Sequence, residues 1–343
     1  MILALYIAQG WVSYSRNGNF YVTTNRYKSE LYSRRKVIHS ADYLVGLGLA
    51  YHDKAKPGTR GWQSALKATP GLVERTRLIL EQGPPLKCLP PAESIILRDK
   101  DGDYLDYRDS GETRLMRKRL AELNEQVRGT LFTGVIPSAM VRIFNRTFDR
   151  GGRFYALGGS WQSMPKEARM QITIAGEPVS EIDYKTLHPA MLYAQVGSTL
   201  PEDCYNIQGW PRNLVKVALL ILVNSKNKHQ ARYAVAHHEH MRQIAERGSQ
   251  PSFTAADHLM AELRARHGPI SHAFHSDKGA ELMRMDSDMA EAIMHIMMMA
   301  GITVLPVHDS FLVQRSHADQ LERTMFQVAY EAGFEALRVE PKY

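Results

Sequence analysis

The stretch that decides the fold reads EIDYKTLHP over residues 181–189. An apolar, strand-like segment ends there at Asp183, and a helix-like segment, residues 186–196, follows it. A second stretch, VHDSF over residues 307–311, lies between two apolar runs and reads as the turn of a hairpin with Asp309 at its tip. Each stretch therefore predicts one carboxylate at the end of a strand.

These two aspartates predict a metal site if their strands are neighbours. Carboxylates brought close together, with no partner of opposite charge nearby, repel each other strongly unless divalent cations lie between them. Mg²⁺ suits such a site because it takes a few carboxylates and fills its other positions with water and phosphate oxygens. We therefore expect Asp183 and Asp309 to be the catalytic metal ligands of a two-metal phosphoryl-transfer centre, with Mg²⁺ as cofactor and Mn²⁺ as the alternative ion.

Both stretches resemble motifs of right-hand-palm nucleic-acid polymerases, the first motif A and the second motif C. The most similar families are the DNA polymerase I class (family A) and the single-subunit RNA polymerases. Their motif B is a helix with an arginine and, four residues later, a lysine. Arg212 and Lys216 have that spacing inside a predicted helix, residues 210–223.

A fourth motif lies upstream of motif A. The polymerase I class has an arginine there, a glutamine nine residues later and a proline three residues after that, and Arg153, Gln162 and Pro165 reproduce the spacing. Four elements in the family's order are more specific than any one of them. The resemblance covers residues 142–343, of which about 197–275 correspond to the fingers.

The resemblance implies a role for each matched side chain. The backbone carbonyl of Tyr184 would be a third metal ligand, and Arg212 and Lys216 would bind the nucleoside triphosphate. Arg153, Gln162 and His308 would contact the primer and template. The remaining two nucleotide-binding positions are His188 and Asn224.

Sugar preference is the least settled of these implications. His188 stands where DNA polymerases carry a bulky residue that blocks a ribose 2′-hydroxyl, which favours deoxynucleotides. Ser310, in contrast, follows Asp309 as in the single-subunit RNA polymerases. Asn224 stands where the family has an aromatic residue that stacks near the new base pair, so base-pair checking must differ here.

The positive charge of the chain is concentrated near its N-terminus. The net charge is +7, and residues 1–85 carry twelve Lys and Arg against five Asp and Glu, which is the whole excess. Two predicted helices and a pair of strands with a basic loop over residues 1–82 resemble a winged-helix DNA-binding domain. The side chains expected to bind DNA in this N-terminal head are Arg34, Arg35, Lys36, Lys54, Lys56 and Arg60.

These readings predict an α+β fold: a palm of antiparallel sheet and helices, plus fingers helices, preceded by a small winged-helix domain. The expected parts are the head (residues 1–82), a linker with a hairpin and a thumb-like helix (83–141), and palm and fingers (142–343). The expected activity is that of a small DNA polymerase of a phage or mobile element, without an exonuclease. The alternatives are an RNA polymerase or primase with the same palm, and a non-catalytic winged-helix replication initiator with a relic palm.

Composition predicts the number of domains, the cellular location and the partners of the protein. With 343 residues and 44% hydrophobic side chains, the chain can form two or three packed domains. It has no apolar run of about 18 residues, so no membrane association is expected. Two unrelated cysteines, Cys88 and Cys204, and the lack of a signal-peptide pattern predict a cytoplasmic protein of a bacterial or phage-infected cell. The expected partners are a DNA template and primer, and nucleoside triphosphates.

Overall fold

The computed structural model describes residues 1–17, 20–21, 25–28, 33–56, 62–83, 91–158, 160–244 and 252–342. The protein is a mixed α+β fold, as predicted. Within those ranges no helix is long and apolar enough to cross a membrane.

The helices and strands follow one another along the chain in two series. The helices are α1 (Ile2–Ala8), α2 (Arg34–Gly46), α3 (Pro70–Gln82), α4 (Gly111–Gly129), α5 (Lys166–Arg169), α6 (Leu187–Gln195), α7 (Arg212–Asn224), α8 (Lys228–His237), α9 (Glu239–Ile244), α10 (Phe253–Arg266), α11 (Gly279–Met299) and α12 (Ala318–Glu331). The strands are β1 (Val12–Tyr14), β2 (Ala50–Asp53), β3 (Ser64–Ala68), β4 (Ile95–Arg98), β5 (Tyr104–Leu105), β6 (Phe132–Thr133), β7 (Met140–Asn145), β8 (Thr147–Ala156), β9 (Thr173–Ile174), β10 (Glu177–Lys185), β11 (Leu305–Val307), β12 (Ser310–Gln314) and β13 (Arg338–Pro341).

The head contains a small antiparallel sheet with strand order β1-β3-β2 and its own apolar core. Ser33 caps α2 by accepting a hydrogen bond from the amide of Lys36, at the helix start that the sequence predicts. The two strands expected after this helix also form and pair as β2 and β3. Strand β1 pairs antiparallel with β3.

Two further sheets share one large core. In the first, the long strand β10 pairs with β12 on one side and with β13 and β9 on the other. The second has strand order β5-β4-β7-β8. The two sheets contribute to the same buried cluster, and helices α4, α6, α7, α10, α11 and α12 pack into it.

Residues 91–141 share this core with the C-terminal part of the chain. Strand β4 pairs in parallel with β7, so one sheet crosses the expected boundary between residues 141 and 142. The helix expected to act as a thumb, α4, buries Leu120, Leu123 and Val127 in the same cluster. The segment is thus an integral part of the main body.

Helix α11 lies against strand β8, and one glycine permits that approach. Gly152 has φ +82°, and a Cβ there would lie 2.6 Å from the Phe144 ring and 2.9 Å from the Ser287 hydroxyl. The fully buried Arg142 fastens the same contact, because its guanidinium donates to the Gly152 carbonyl and to Ser287 and forms ion pairs with two carboxylates of α11. Strand β8 is thereby held at a fixed position on α11.

Helices α7, α8 and α10 follow β10 and precede α11 in the sequence, and they pack against one another. Helices α8 and α9 are separated at His238, where the backbone is extended. The structure does not describe residues 245–251.

Candidate active site

The two predicted aspartates lie at the same end of one pair of strands. Strands β10 and β12 are antiparallel neighbours, and Asp183 is opposite Ser310, the residue after Asp309. The hairpin β11–β12 forms with His308 and Asp309 as its two-residue turn, and His308 has a left-handed φ of 61°. The amide of Tyr184 also donates to the Asp309 carbonyl at 3.4 Å, which brings the turn against the end of β10.

Asp183 is held in a surrounding that disfavours its charge. Burial, and after it the negative charge of Asp309, raises the pKa of Asp183 to about 6. Its Oδ1 atom is buried and makes no aligned hydrogen bond with any described residue. Two neighbouring carboxylates, one of them buried, repel each other, and a divalent ion would relieve this repulsion.

A lysine partly compensates this charge, contrary to the expectation that no opposite charge lies nearby. Lys342 Nζ, at the C-terminal end of β13, lies 3.3 Å from Asp183 Oδ1 and 3.2 Å from Glu181 Oε1. Glu181 precedes Asp183 by two residues on the same strand face and is fully buried. Arg169 forms a two-pronged ion pair with Glu181, and the Ser310 hydroxyl donates to it.

The donor set fits a divalent ion only in part. No group of three or more His, Cys, Asp or Glu side chains in the described ranges is arranged to hold a metal ion. The pair Asp183 and Asp309 supplies two carboxylates, and the carbonyl of Tyr184 faces the hairpin because a strand residue directs its N–H and C=O to the same side. Two carboxylates and a carbonyl suit Mg²⁺, which keeps several waters and takes phosphate oxygens from its substrate.

Arg153 and His188 meet at a third side chain that the sequence motifs do not include. Asp286 of α11 accepts hydrogen bonds from Arg153 Nε, at 3.2 and 3.1 Å, and from Nη2. His188 Nε2 lies 2.9 Å from Asp286 Oδ2. Arg153 also lies close enough to Asp309 for the two charges to interact. Arg153 Nη1 makes no hydrogen bond with a described residue. The primer contact expected of Arg153 would therefore use Nη1.

The side chain of Gln162 is hydrogen-bonded to the backbone of neighbouring strands and loops. Its amide nitrogen donates to the carbonyls of Phe154 and Pro306, both at 3.0 Å, and its oxygen accepts from the amide of Ala156 at 2.8 Å. Trp161 donates to the same Pro306 carbonyl at 2.8 Å. Gln162 thus supports the hairpin that carries Asp309, and its contact with the primer or template stays a prediction.

His308 remains open to substrate at the hairpin tip. Its side chain is exposed, and partial burial together with the charge of Arg153 lowers the pKa of His308. The ring is therefore neutral at pH 7 and can donate or accept one hydrogen bond beside Asp309.

The basic face of α7 is tied to the chain just after Asp183. Arg212 and Lys216 are both exposed, and their charged groups lie 5.1 and 5.9 Å from the ring centre of Tyr205. The Tyr205 ring is buried, and its hydroxyl interacts with Thr186, the residue that begins α6. Arg212 Nε also donates to Asp203 at 3.0 Å. The two cations are thus linked through Tyr205 to Thr186.

Asn224 is the last residue of α7, twelve residues after Arg212. Its amide nitrogen donates to the Leu220 carbonyl at 2.7 Å, and its side chain covers Gly279, where a Cβ would lie 1.7 Å from the Asn224 oxygen. Asn224 therefore joins α7 to the start of α11, and its role in nucleotide binding stays a prediction.

The basic side chains of the head are exposed where the structure describes them. Arg34, Arg35 and Lys36 form the first turn of α2, and Lys54 and Lys56 follow β2. Arg60 lies outside the described residues.

The residues that sequence reasoning missed are Glu181, Asp286, Lys342 and Tyr205. A charged Glu181 inside the apolar strand pattern of β10 was a usable signal, because a buried carboxylate needs partners. Asp286, Lys342 and Tyr205 carry no local signal, since tertiary packing alone brings them to the site.

No protein-family model matches the chain, and no curated protein matches it either. The assignment of a function therefore depends on the site itself.

Proposed function

We propose that this protein is a template-directed nucleotidyltransferase, a small DNA polymerase that uses the Asp183–Asp309 pair to hold divalent cations. The observation that carries the proposal is the adjacency of β10 and β12, which brings the largely buried carboxylate of Asp183 close enough to Asp309 for the two charges to repel. Bound Mg²⁺ would activate the primer 3′-hydroxyl and stabilise the departing pyrophosphate. We extend the proposal to the fold, with the β10–β12 sheet as a palm and α7 to α10 as fingers.

The two cations of α7 would give the site affinity for phosphate. Arg212 and Lys216 offer two positive charges on one helix face, and the exposed position of both leaves them accessible to a triphosphate. Asp203 and Tyr205 hold these side chains near the start of α6, so the charges are in place before substrate arrives. The cations would stabilise the charge that develops on the triphosphate during transfer.

A second feature supports a nucleic-acid substrate. The head has the strand order β1-β3-β2 with α2 presented beside the sheet, which resembles a winged helix. The first turn of α2 exposes three cations, and its N-terminal dipole adds to their attraction for phosphate. We propose that the head binds duplex DNA through Arg34, Arg35 and Lys36, and so brings the site to its template.

Primer extension tests the proposal. The full chain is incubated with a primed template, with dNTPs or rNTPs, and with Mg²⁺ or Mn²⁺. We expect templated extension by the wild type and a loss of about 1,000-fold or more in Asp309→Asn, because a ligand to the catalytic cations is removed. Asp319→Asn, an exposed acid in the first turn of α12, is the matched control and should keep full activity.

The same assay separates the alternatives. Extension with rNTPs in preference to dNTPs, or synthesis on an unprimed template, would identify an RNA polymerase or primase. Equal incorporation by wild type and Asp309→Asn would refute the proposed centre. Binding of DNA without any incorporation would favour a non-catalytic initiator.

A further inference from the structure

The strongest unassigned feature of the molecule is Asp286, a carboxylate in the middle of α11. It is only 6% exposed, yet it holds two side chains from other elements. Arg153 comes from β8 and grips Asp286 through Nε and Nη2, and His188 comes from the first turn of α6 with Nε2 at 2.9 Å from Oδ2. Arg153 Nη2 is also 3.4 Å from His188 Nε2, so the three side chains form one cluster.

The cluster is not needed to attach α11 to the sheet. The neighbouring network of Arg142 with Asp288 and Glu291 already does so. A buried ion pair usually adds little net stability, because the loss of hydration offsets the attraction between the charges. A second buried arginine–carboxylate pair, one turn away, therefore calls for a reason other than stability.

The position of the cluster supplies that reason. His188 lies five residues after Asp183, at the beginning of the helix that follows β10, and Arg153 is close enough to Asp309 for their charges to interact. The cluster thus borders the acid pair from the side of α6 and α11. An imidazole whose Nε2 is held by a buried carboxylate cannot turn freely about χ1 and χ2, so the His188 ring has a fixed position.

We propose that Asp286 is a positioning residue that fixes His188 and Arg153 and thereby sets discrimination between deoxyribonucleotides and ribonucleotides. The inference rests on the proposed polymerase function and assigns its sugar selectivity to a three-residue unit rather than to His188 alone. Asp286 keeps the His188 ring where a 2′-hydroxyl would have to enter. It also leaves Arg153 Nη1 free to contact the primer terminus or the incoming nucleotide.

Removing the charge of Asp286 should make the His188 ring more mobile while the ring itself stays in place. Asp286→Asn keeps the size of the side chain but gives Arg153 and His188 one acceptor where they had two. The freed ring then admits the larger sugar, so the effect falls on the KM for rNTPs. We expect the ratio of kcat/KM for dNTPs over rNTPs to fall about 10- to 100-fold, the usual consequence of a displacement near 1 Å in a site.

The test uses the full chain and two matched variants of α11. Asp288→Asn removes the same charge two residues away, from a carboxylate that pairs with Arg142 and Arg284 instead. We expect this control to keep the wild-type sugar ratio. We also expect the double variant Asp286→Asn, His188→Ala to have the same ratio of kcat/KM for dNTPs over rNTPs as His188→Ala alone, since both changes act through the His188 ring.

A second readout does not depend on activity. Diethyl pyrocarbonate should modify His188 slowly in the wild type and in Asp288→Asn, and faster in Asp286→Asn, as followed by mass spectrometry of the peptide. Thermal melting of each variant shows whether it is folded at the assay temperature.

The outcomes separate this inference from the function on which it rests. A fall in the sugar ratio with faster modification, in Asp286→Asn only, supports it. An active wild type with an unchanged ratio in Asp286→Asn, or an equal fall in Asp288→Asn, overturns the positioning role and leaves the polymerase intact. A wild type that incorporates no nucleotide overturns both.

Discussion

Replacing Asp183 with asparagine should stabilise the metal-free protein while removing its activity. Burial and the charge of Asp309 raise the pKa of Asp183 from 3.8 to about 6, so the folded state holds its proton more tightly than the unfolded chain does. A difference of that size costs about 3 kcal/mol of stability above pH 6. The pKa of about 6 already includes the opposing attraction to Lys342, so Asp183→Asn should gain about 3 kcal/mol at most.

The effect should depend on pH in a defined direction. Below about pH 4, Asp183 is protonated in both the folded and the unfolded state, so wild type and Asp183→Asn should melt alike. Between about pH 4 and 6 the wild type loses stability as the pH rises, because the unfolded carboxyl ionises while the folded one keeps its proton, and the variant does not. Above pH 6 the gap is constant, at about 2–4 °C in Tm. Scanning calorimetry in EDTA at pH 4 and pH 8 measures it.

Glu181 provides the contrast on the same face of β10. Its carboxylate is fully buried but paired with Arg169, Ser310 and Lys342. Glu181→Gln leaves the Arg169 guanidinium without its carboxylate and removes one of the two carboxylate partners of Lys342, so it should lower stability by about 3–5 kcal/mol. An Asp183→Asn protein that is less stable than the wild type at pH 8 in EDTA would refute the electrostatic reasoning.

Three further predictions concern the surroundings of the site. Gly152→Ala should destabilise the protein by about 2 kcal/mol or more, because a Cβ at φ +82° would meet the Phe144 ring, and an unchanged Tm would contradict this contact. Lys216→Gln should raise the KM for nucleotide about tenfold with little change in Tm, and steady-state kinetics at saturating primer would detect it. Changing Arg34, Arg35 and Lys36 together to glutamine should lower duplex binding and reduce the salt dependence of log K by about 3, in fluorescence anisotropy on the full chain, whereas an unchanged slope would exclude α2 as a phosphate contact.

Local patterns carried much of the fold prediction. Strand β10, the β11–β12 hairpin and helices α2 and α7 could be predicted because their apolar spacing, caps and turns are encoded within a few residues. Helix α3 had the same kind of signal, with Thr69 as its cap and Pro70 in the first turn, and reading that signal would have found it. Strand β1 could not be placed, since its partner β3 lies about fifty residues away in the chain.

The candidate site was predictable only in its acid pair and its basic helix. Residue type and spacing indicate a functional role for the four residues that stand in motifs, Asp183, Asp309, Arg212 and Lys216. Asp286 looks like an ordinary polar position in a helix until α11 packs on β8 and brings it to Arg153. Gln162 is the opposite case, because its spacing suggested a substrate contact while its amide is used by the backbone.

Counting bound Mn²⁺ tests the central claim most directly. Electron paramagnetic resonance on the wild type, with a primed template and a non-hydrolysable nucleotide, should show at least one tight Mn²⁺ per chain. Asp183→Asn and Asp309→Asn should each weaken that binding by about tenfold or more, while Asp319→Asn should not. Equal Mn²⁺ affinity in all four proteins would contradict a cation site between Asp183 and Asp309.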